Sequence, residues 1–168
     1  MRGHLSGEYL IALGSNVRHK RHGDPRKVLA AALGALGRTG FGVVRSSPVI
    51  SSAPLGPSQR RYANAAAILA SDLPPEAVLE RLKRIERDFG RTGSGQRWRA
   101  RVLDLDIILW SGGGFASAGL VIPHVACRGR DFVLGPAVVI AADWRDPVSG
   151  LTIKQLHTRL TRPRPTPR

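Results

Sequence analysis

A single cysteine, Cys127, among 168 residues excludes an internal disulfide and suits a reducing compartment. No base stands beside it in sequence, so a packed thiol is expected rather than a nucleophile. No apolar run approaches the ~20 residues that span a bilayer. The opening stretch MRGHLSGEYLIALGSN also lacks the long apolar segment and cleavage site of a signal peptide, and a cytoplasmic location is expected. Acids are scarce: 12 Asp+Glu face 26 Lys+Arg, a net charge of +14. Such a field favours anionic partners, whether nucleic acid, a membrane surface or a phosphate-rich small molecule. There is no GxxxxGK[ST] loop and no kinase-like GxGxxG, so any nucleotide is held by another scheme. No second His or Cys stands at metal-ligand spacing from His124, which argues against a zinc site.

What is present fits one domain over residues 8–160, with 161–168 as a basic, proline-rich, disordered tail. A hydrophobic content of 42% with Gly 19 and Pro 12 suits a globular protein with pronounced turns. EYLIALGSN reads as a first strand over 8–13, followed by a polar, mobile loop, VRHKRHG. Asp24 caps and Pro25 opens a helix to about Leu36, with Val28, Leu29, Ala32, Leu33 and Leu36 on one stripe and Gly37 and Gly40 stopping it. FGVVRSSPVISS reads as a second strand interrupted at Pro48, and YANAAAILA as a third. LPPEAVLERLKRIERDFG is the clearest helix, ended by Gly90. A Gly-rich loop over 90–99 leads to a strand containing DLD, then a short strand GLVIPH, part helix in RDFVLGPAVVIAA and a last short helix TIKQLHTRL. The order βαββαβ predicts an α+β fold: a ferredoxin-like, mainly antiparallel sheet with helices packed on one face, plus a C-terminal hairpin and short helices.

The chemistry gathers in RWRARVLDLDII. On a strand, alternate side chains share a face, so Asp104 and Asp106 lie together and Leu103, Leu105 and Ile107 lie opposite. The two Cα atoms are roughly 7 Å apart at a rise of about 3.3 Å per residue. Two half-buried carboxylates that close raise each other's pKa unless cations stand opposite. Mg²⁺ typically uses one or two carboxylates and completes its shell with water and substrate phosphates; exposure to solvent, or pairing with the nearby arginines, is the alternative. Arg97, Arg99 and Arg101 would face away from the acids in an unbroken strand. To act at the same site they need the chain before Val102 to fold over as a loop, where guanidinium groups can clamp phosphate.

The segments LIALGSN, SAPLGP, YANAAA, IERDFGR, RWRARVLDLDII, IPH and GRDFVLGP, in this order and spacing, resemble the 6-hydroxymethyl-7,8-dihydropterin pyrophosphokinases over residues 9–160. The resemblance implies transfer of the pyrophosphoryl group of ATP to the pterin's hydroxymethyl group, with release of AMP, in tetrahydrofolate biosynthesis. It implies two Mg²⁺ held by Asp104 and Asp106, with Arg91 and Arg101 as further catalytic residues. It assigns Glu86, Arg91, Arg97, Arg101, Ile107, His124 and Arg130 to the nucleotide. The pterin falls to Gly14, Ser52, Ala53, Leu55, Tyr62, Asn64, Trp98 and Phe132, with the Tyr62 and Phe132 rings flanking it. The expected partners are ATP and the pterin, with no membrane and no nucleic acid; a monomer is expected, a homodimer being the alternative. Arg99 departs from the family pattern where a small residue is usual, Gly93 where a basic one is frequent, Val125 where an aromatic is frequent, and SAP replaces TPP. Two rival readings are a drifted relative that binds pterin or nucleotide without turnover, and a basic RNA-binding module. The acids on the DLD strand oppose the second, since that face would repel phosphate.

Overall fold

The computed structural model describes residues 7–53, 61–90 and 101–163. Leu55, Arg91, Gly93, Arg97, Trp98, Arg99 and the tail from 164 onward lie outside the described residues.

Among the described residues, seven strands and four α-helices run in the order β1 (Gly7–Ser15), α1 (Pro25–Arg38), β2 (Gly42–Ser46), β3 (Ile50–Ser52), β4 (Tyr62–Ser71), α2 (Pro75–Asp88), β5 (Asp104–Trp110), β6 (Phe115–Ser117), β7 (Leu120–Ile122), α3 (Asp131–Ala141) and α4 (Ile153–Thr161). The main sheet has the order β2-β4-β1-β5, and β3 also pairs with β4. Every pairing in it is antiparallel, as the βαββαβ pattern requires. Strands β6 and β7 form the C-terminal hairpin.

Local chemistry explains most boundaries. The Asp24 carboxylate accepts hydrogen bonds from the Arg26 and Lys27 amides at 3.0 and 3.2 Å, capping α1 ahead of a proline in its first turn. Gly37 does not stop the helix as expected; it lies inside α1, and the turn comes at Gly40, where φ is +89°. Pro48 brings no N–H to the ladder, and the second strand breaks there into β2 and β3. Ser47 bridges the break: its amide donates to the Ala66 carbonyl and its hydroxyl accepts from the Ala66 amide, both at 2.9 Å. Thr152 and Gln155 exchange side-chain and backbone hydrogen bonds in a capping box that opens α4.

The VRHKRHG segment, expected as a mobile polar loop, is an ordered turn. His19 and Gly23 exchange backbone hydrogen bonds at 2.8 and 2.9 Å, and the His22 ring stacks on Phe89 at 5.0 Å. The sequence reading missed it because the stacking partner is distant in sequence, at the end of α2.

Helices pack on both faces of the sheet. Tyr9, Ile11 and Leu13, with Ala63, Ala65, Ala67 and Leu69 of β4 and Leu103, Leu105 and Ile107, pack with Val28, Leu29, Val78, Leu82 and Ile85 of α1 and α2. On the second face Leu10, Ala66, Ile68, Ile108 and Leu109 pack with Val133, Leu134, Ile153 and Leu156 of α3 and α4. The two core helices thus share one face as expected, and the C-terminal helices shield part of the other. Cys127 is buried in this second cluster, where burial raises its thiol pKa and keeps it inert. No helix among the described residues is long and apolar enough to cross a membrane.

Residues 142–152 are held by a buried carboxylate. Asp146 accepts from Arg128 Nε at 2.5 Å and Nη2 at 2.8 Å, from the Ser149 hydroxyl and from the Val148 amide. These bonds, the Arg128 pair first, hold its pKa far below the usual carboxylate range. A depressed folded pKa gives stability that is present above the unfolded value and lost as pH falls. Asp146→Ala should cost about 2–3 kcal/mol, since the partner Arg128 is only partly exposed, or roughly 5–10 °C in melting temperature. Thermal denaturation at pH 7 and at pH 3 checks this, and the gap between variant and wild type should shrink at the lower pH.

Candidate active site

Among the described residues α3 and α4 cover only part of the second face, and its remaining part carries Gly14, Asn64, Asp104 and Asp106. In the β1–β4 and β1–β5 registers Asn64, Gly14 and Asp104 stand in one row, and Ala66, Ala12 and Asp106 in the next. Residues paired across antiparallel strands point to the same face. The middle of the face is therefore lined by glycine and alanine, with Asn64 on one flank and the two acids on the other, roughly 10 Å apart over two strand spacings of about 4.8 Å. A Cβ at Gly14 would sit 3.5 Å from Asn64 Oδ1, so glycine keeps this floor low. Tyr62 and Ser52 are register partners on the same face, and Asn64 Nδ2 donates to Ser52 Oγ at 2.7 Å. Ala53 follows directly, exposed beyond the end of β3. Phe132, in the first turn of α3, packs against the second-face cluster, and the Arg130 guanidinium lies 5.8 Å from its ring centroid.

Asp104 and Asp106 share this face, as alternation predicts, while Leu105 and Ile107 point into the helix-covered core. Asp106 is half-buried, and its pKa is raised, first by loss of hydration and then by Asp104; Lys83, His124 and Arg101 oppose the shift. Arg101 lies before β5, and its side chain turns back to Asp104, Nη1 to Oδ2 2.7 Å. Arg101 thus meets Asp104 through its side chain, while Arg97 and Arg99 lie outside the described residues.

β5 is an edge strand of the main sheet, and α2 reaches around to its outer side. Glu86, fully buried, accepts from the Leu105 amide at 2.7 Å, and Lys83 donates to the Leu105 carbonyl at 3.3 Å and to Glu86 at 2.9 Å. With Leu105 turned outward, the antiparallel rule turns the Ile107 amide and carbonyl outward too. The Ile107 side chain is in the core, so a nucleotide can meet only its main chain. One residue on, Ile108 O accepts from the His124 amide at 3.1 Å. His124 Nδ1 accepts from the Ala126 amide at 3.2 Å, which leaves the proton of the neutral ring on Nε2. Val125 beside it is 74% exposed.

The structure thus gathers Gly14, Ser52, Tyr62, Asn64, Phe132, Arg130, Arg101, Asp104, Asp106, His124 and the Ile107 main chain around one open face and its edge. Glu86 is drawn further into the scaffold than the resemblance implied, because one of its oxygens is bonded to β5. Lys83 and Asn16 were missed by the sequence reading. Lys83 stands three positions before Glu86 on a helix, the spacing of an ion pair, and Asn16 closes the GSN segment.

Two close carboxylates, an arginine on one of them, a histidine beside the other and an outward backbone donor and acceptor form a candidate site for a cation and an anionic ligand. Its relatives give the family. Residues 10–142 match the family model described as 7,8-dihydro-6-hydroxymethylpterin-pyrophosphokinase (HPPK). The chain is 38% identical over 148 residues to the 2-amino-4-hydroxy-6-hydroxymethyldihydropteridine pyrophosphokinase of Synechocystis sp., covering 88% of this chain and 73% of that protein. It is 39% identical over 135 residues to the protein of that name from Haemophilus influenzae, covering 79% and 81%. The crystal structure of Plasmodium falciparum HPPK-DHPS wild type has the same fold, with a TM-score of 0.71 at 12% identity, over 92% of this chain and 41% of that one. The chain thus spans about two fifths of that longer protein. The chain belongs to the 7,8-dihydro-6-hydroxymethylpterin-pyrophosphokinase family.

A raised folded pKa means stability that is present below the unfolded value and lost as pH rises through the folded one. Asp106→Asn removes that loss. The ligand-free variant should melt a few degrees above wild type at pH 7–8, by the ~2–4 °C per kcal/mol of a domain this size, and the two should converge near pH 4. A lower melting temperature for Asp106→Asn at pH 7.5 would contradict this account of the carboxylate pair.

Proposed function

We propose that the chain transfers the pyrophosphoryl group of ATP to the hydroxymethyl group of 6-hydroxymethyl-7,8-dihydropterin and releases AMP, a step of tetrahydrofolate biosynthesis. Membership of the pyrophosphokinase family supports this. The single structural observation that carries it is the Asp104–Asp106 pair, whose mutual repulsion calls for a cation on an otherwise open face.

The donor set fits Mg²⁺. Both groups are hard oxygen donors on one face, and among the described residues no larger cluster of His, Cys, Asp or Glu stands at metal-holding distance, as suits an ion that takes few protein ligands. Asp104 and Asp106 would hold two Mg²⁺, which supply neutralisation of phosphate charge when bound with ATP.

The chain's own residues do the rest by orienting and by opposing charge. Arg101 uses one amino group on Asp104 and keeps further N–H donors for phosphate oxygens, since guanidinium carries five. Arg91 and Arg97 are proposed to act with it on the phosphates. His124 offers Nε2–H and Arg130 its guanidinium to the nucleotide. Ile107 offers its outward amide and carbonyl to the base, and Glu86 fixes the strand that presents them. On the other side of the glycine–alanine floor, the Tyr62 and Phe132 rings flank the flat pterin. Asn64 reads the pterin's edge, its amide orientation fixed by Ser52. Gly14, Ala53 and Leu55 complete this pocket and Trp98 closes it. Residues 8–160 act as one catalytic domain in the cytoplasm, as a monomer.

AMP formation from MgATP, with and without the pterin, tests this reading. Wild type should form AMP only with the pterin present, and Asp104→Asn or Asp106→Asn should lower kcat by roughly 10²-fold or more. Normal turnover in either variant would remove the proposed metal role. Asn64→Ala should raise the KM for the pterin about 10-fold or more, by loss of one or two buried hydrogen bonds, and leave the KM for ATP within about 2-fold; equal rises in both would remove Asn64 from the pterin pocket.

A further inference from the structure

The main chain of Arg101 is held at two points by one residue. The Arg101 amide donates to Asn16 Oδ1 at 2.7 Å, and the Asn16 amide donates to the Arg101 carbonyl at 3.1 Å. These bonds extend the β1–β5 ladder past its last regular pair, Gly14–Asp104, and fix the arginine just where its side chain must turn back to Asp104. Asn16 is 4% exposed, yet its buried Nδ2 has no hydrogen-bond partner among the described residues. A buried, unmatched donor costs about 1–3 kcal/mol. An aliphatic residue would avoid that cost but leave the Arg101 amide without its acceptor, so the side chain is kept for its hold on the Arg101 main chain. Departures of this kind concentrate at functional sites.

We propose that Asn16 is a positioning residue for catalysis: it acts through Arg101, setting the guanidinium between Asp104 and the phosphates. The proposal rests on the pyrophosphoryl-transfer reading. Arg101 has no regular strand partner to hold it in register, since β5 begins three residues later. Without Asn16 the guanidinium can still pair with Asp104 but from a shifted backbone, and a displacement of about 1 Å at a positioned group can cost ~10²-fold in rate.

A double-mutant cycle tests it. Asn16→Ala should lower kcat about 10- to 100-fold while changing the KM for the pterin less than about 3-fold, the pattern of an interaction that matters beyond substrate binding. In an Arg101→Ala background the same substitution should lower kcat by less than about 3-fold, because the group it positions is gone. An undiminished effect in that background, or a fall in melting temperature with kcat unchanged, would overturn the proposal. Binding of α,β-methylene-ATP with Mg²⁺, measured by calorimetry on the same four proteins, separates this proposal from the functional reading. Should wild type form no AMP, that reading fails, and the same coupling between Asn16 and Arg101 must appear in the analogue's affinity or the positioning role fails as well. If Asn16→Ala does not fold, Asn16→Ser, whose hydroxyl is too short to reach the Arg101 amide, takes its place in both cycles.

Discussion

Two carboxylates on neighbouring same-face positions of a strand cannot both be charged and half-buried without cations close by, and much of this molecule is arranged around that fact. Arg101 answers Asp104 directly. Lys83 and His124 also act on Asp106, yet Lys83 bonds Glu86 and the Leu105 carbonyl, and His124 is tied to the backbone through Nδ1. The compensation is incomplete, and each pKa unit of residual shift corresponds to about 1.4 kcal/mol. That unmet demand sits on the part of the sheet that α3 and α4 leave uncovered. A chain with so few acids places two of them where they repel each other, a cost that a cation bound between them would remove.

The two faces divide the work. Alternation along β1 and β5 sends Ile11, Leu13, Leu105 and Ile107 to α1 and α2 and leaves Ala12, Gly14, Asp104 and Asp106 on the other side. Gly14, Ala12 and Ala66 then form a floor with little side-chain relief, and functional groups rise only at its flanks. The same alternation that builds the core therefore clears the site. The Arg128–Asp146 pair belongs to the scaffold rather than the site: it braces the segment between α3 and α4, which in turn seat the first turn of α3 with Phe132 and Arg130.

Much of this was legible in the sequence because it depends on local rules. Alternation in VLDLDII placed the acids together, and Asp24, Pro25 and the apolar stripes placed the two core helices. The family motifs supplied the remaining site residues as expectations. What escaped depended on partners remote in the chain. The stack of His22 on Phe89 joins the end of the first loop to the end of α2. The reach of Lys83 and Glu86 to Leu105 becomes visible only when α2 lies along β5, and the hold of Asn16 on Arg101 spans most of the domain. The register shift between Leu10 and Ile11, which turns both Ile108 and Leu109 toward the second cluster, also has no mark in an alternating pattern. Gly37 misled for the opposite reason: a helix tolerates a glycine when packing on either side of it is sufficient.

The clasp of α2 on β5 has a consequence for how the protein behaves among its own copies. A bare sheet edge is a template on which another strand can add, and through which folded domains polymerise. Here the Leu105 amide and carbonyl are occupied by Glu86 and Lys83, and Ile108 by the His124 amide. Between these clamps the outward groups at Ile107 span a single residue. Along this stretch of β5, one residue's length is too short to seat an intruding strand.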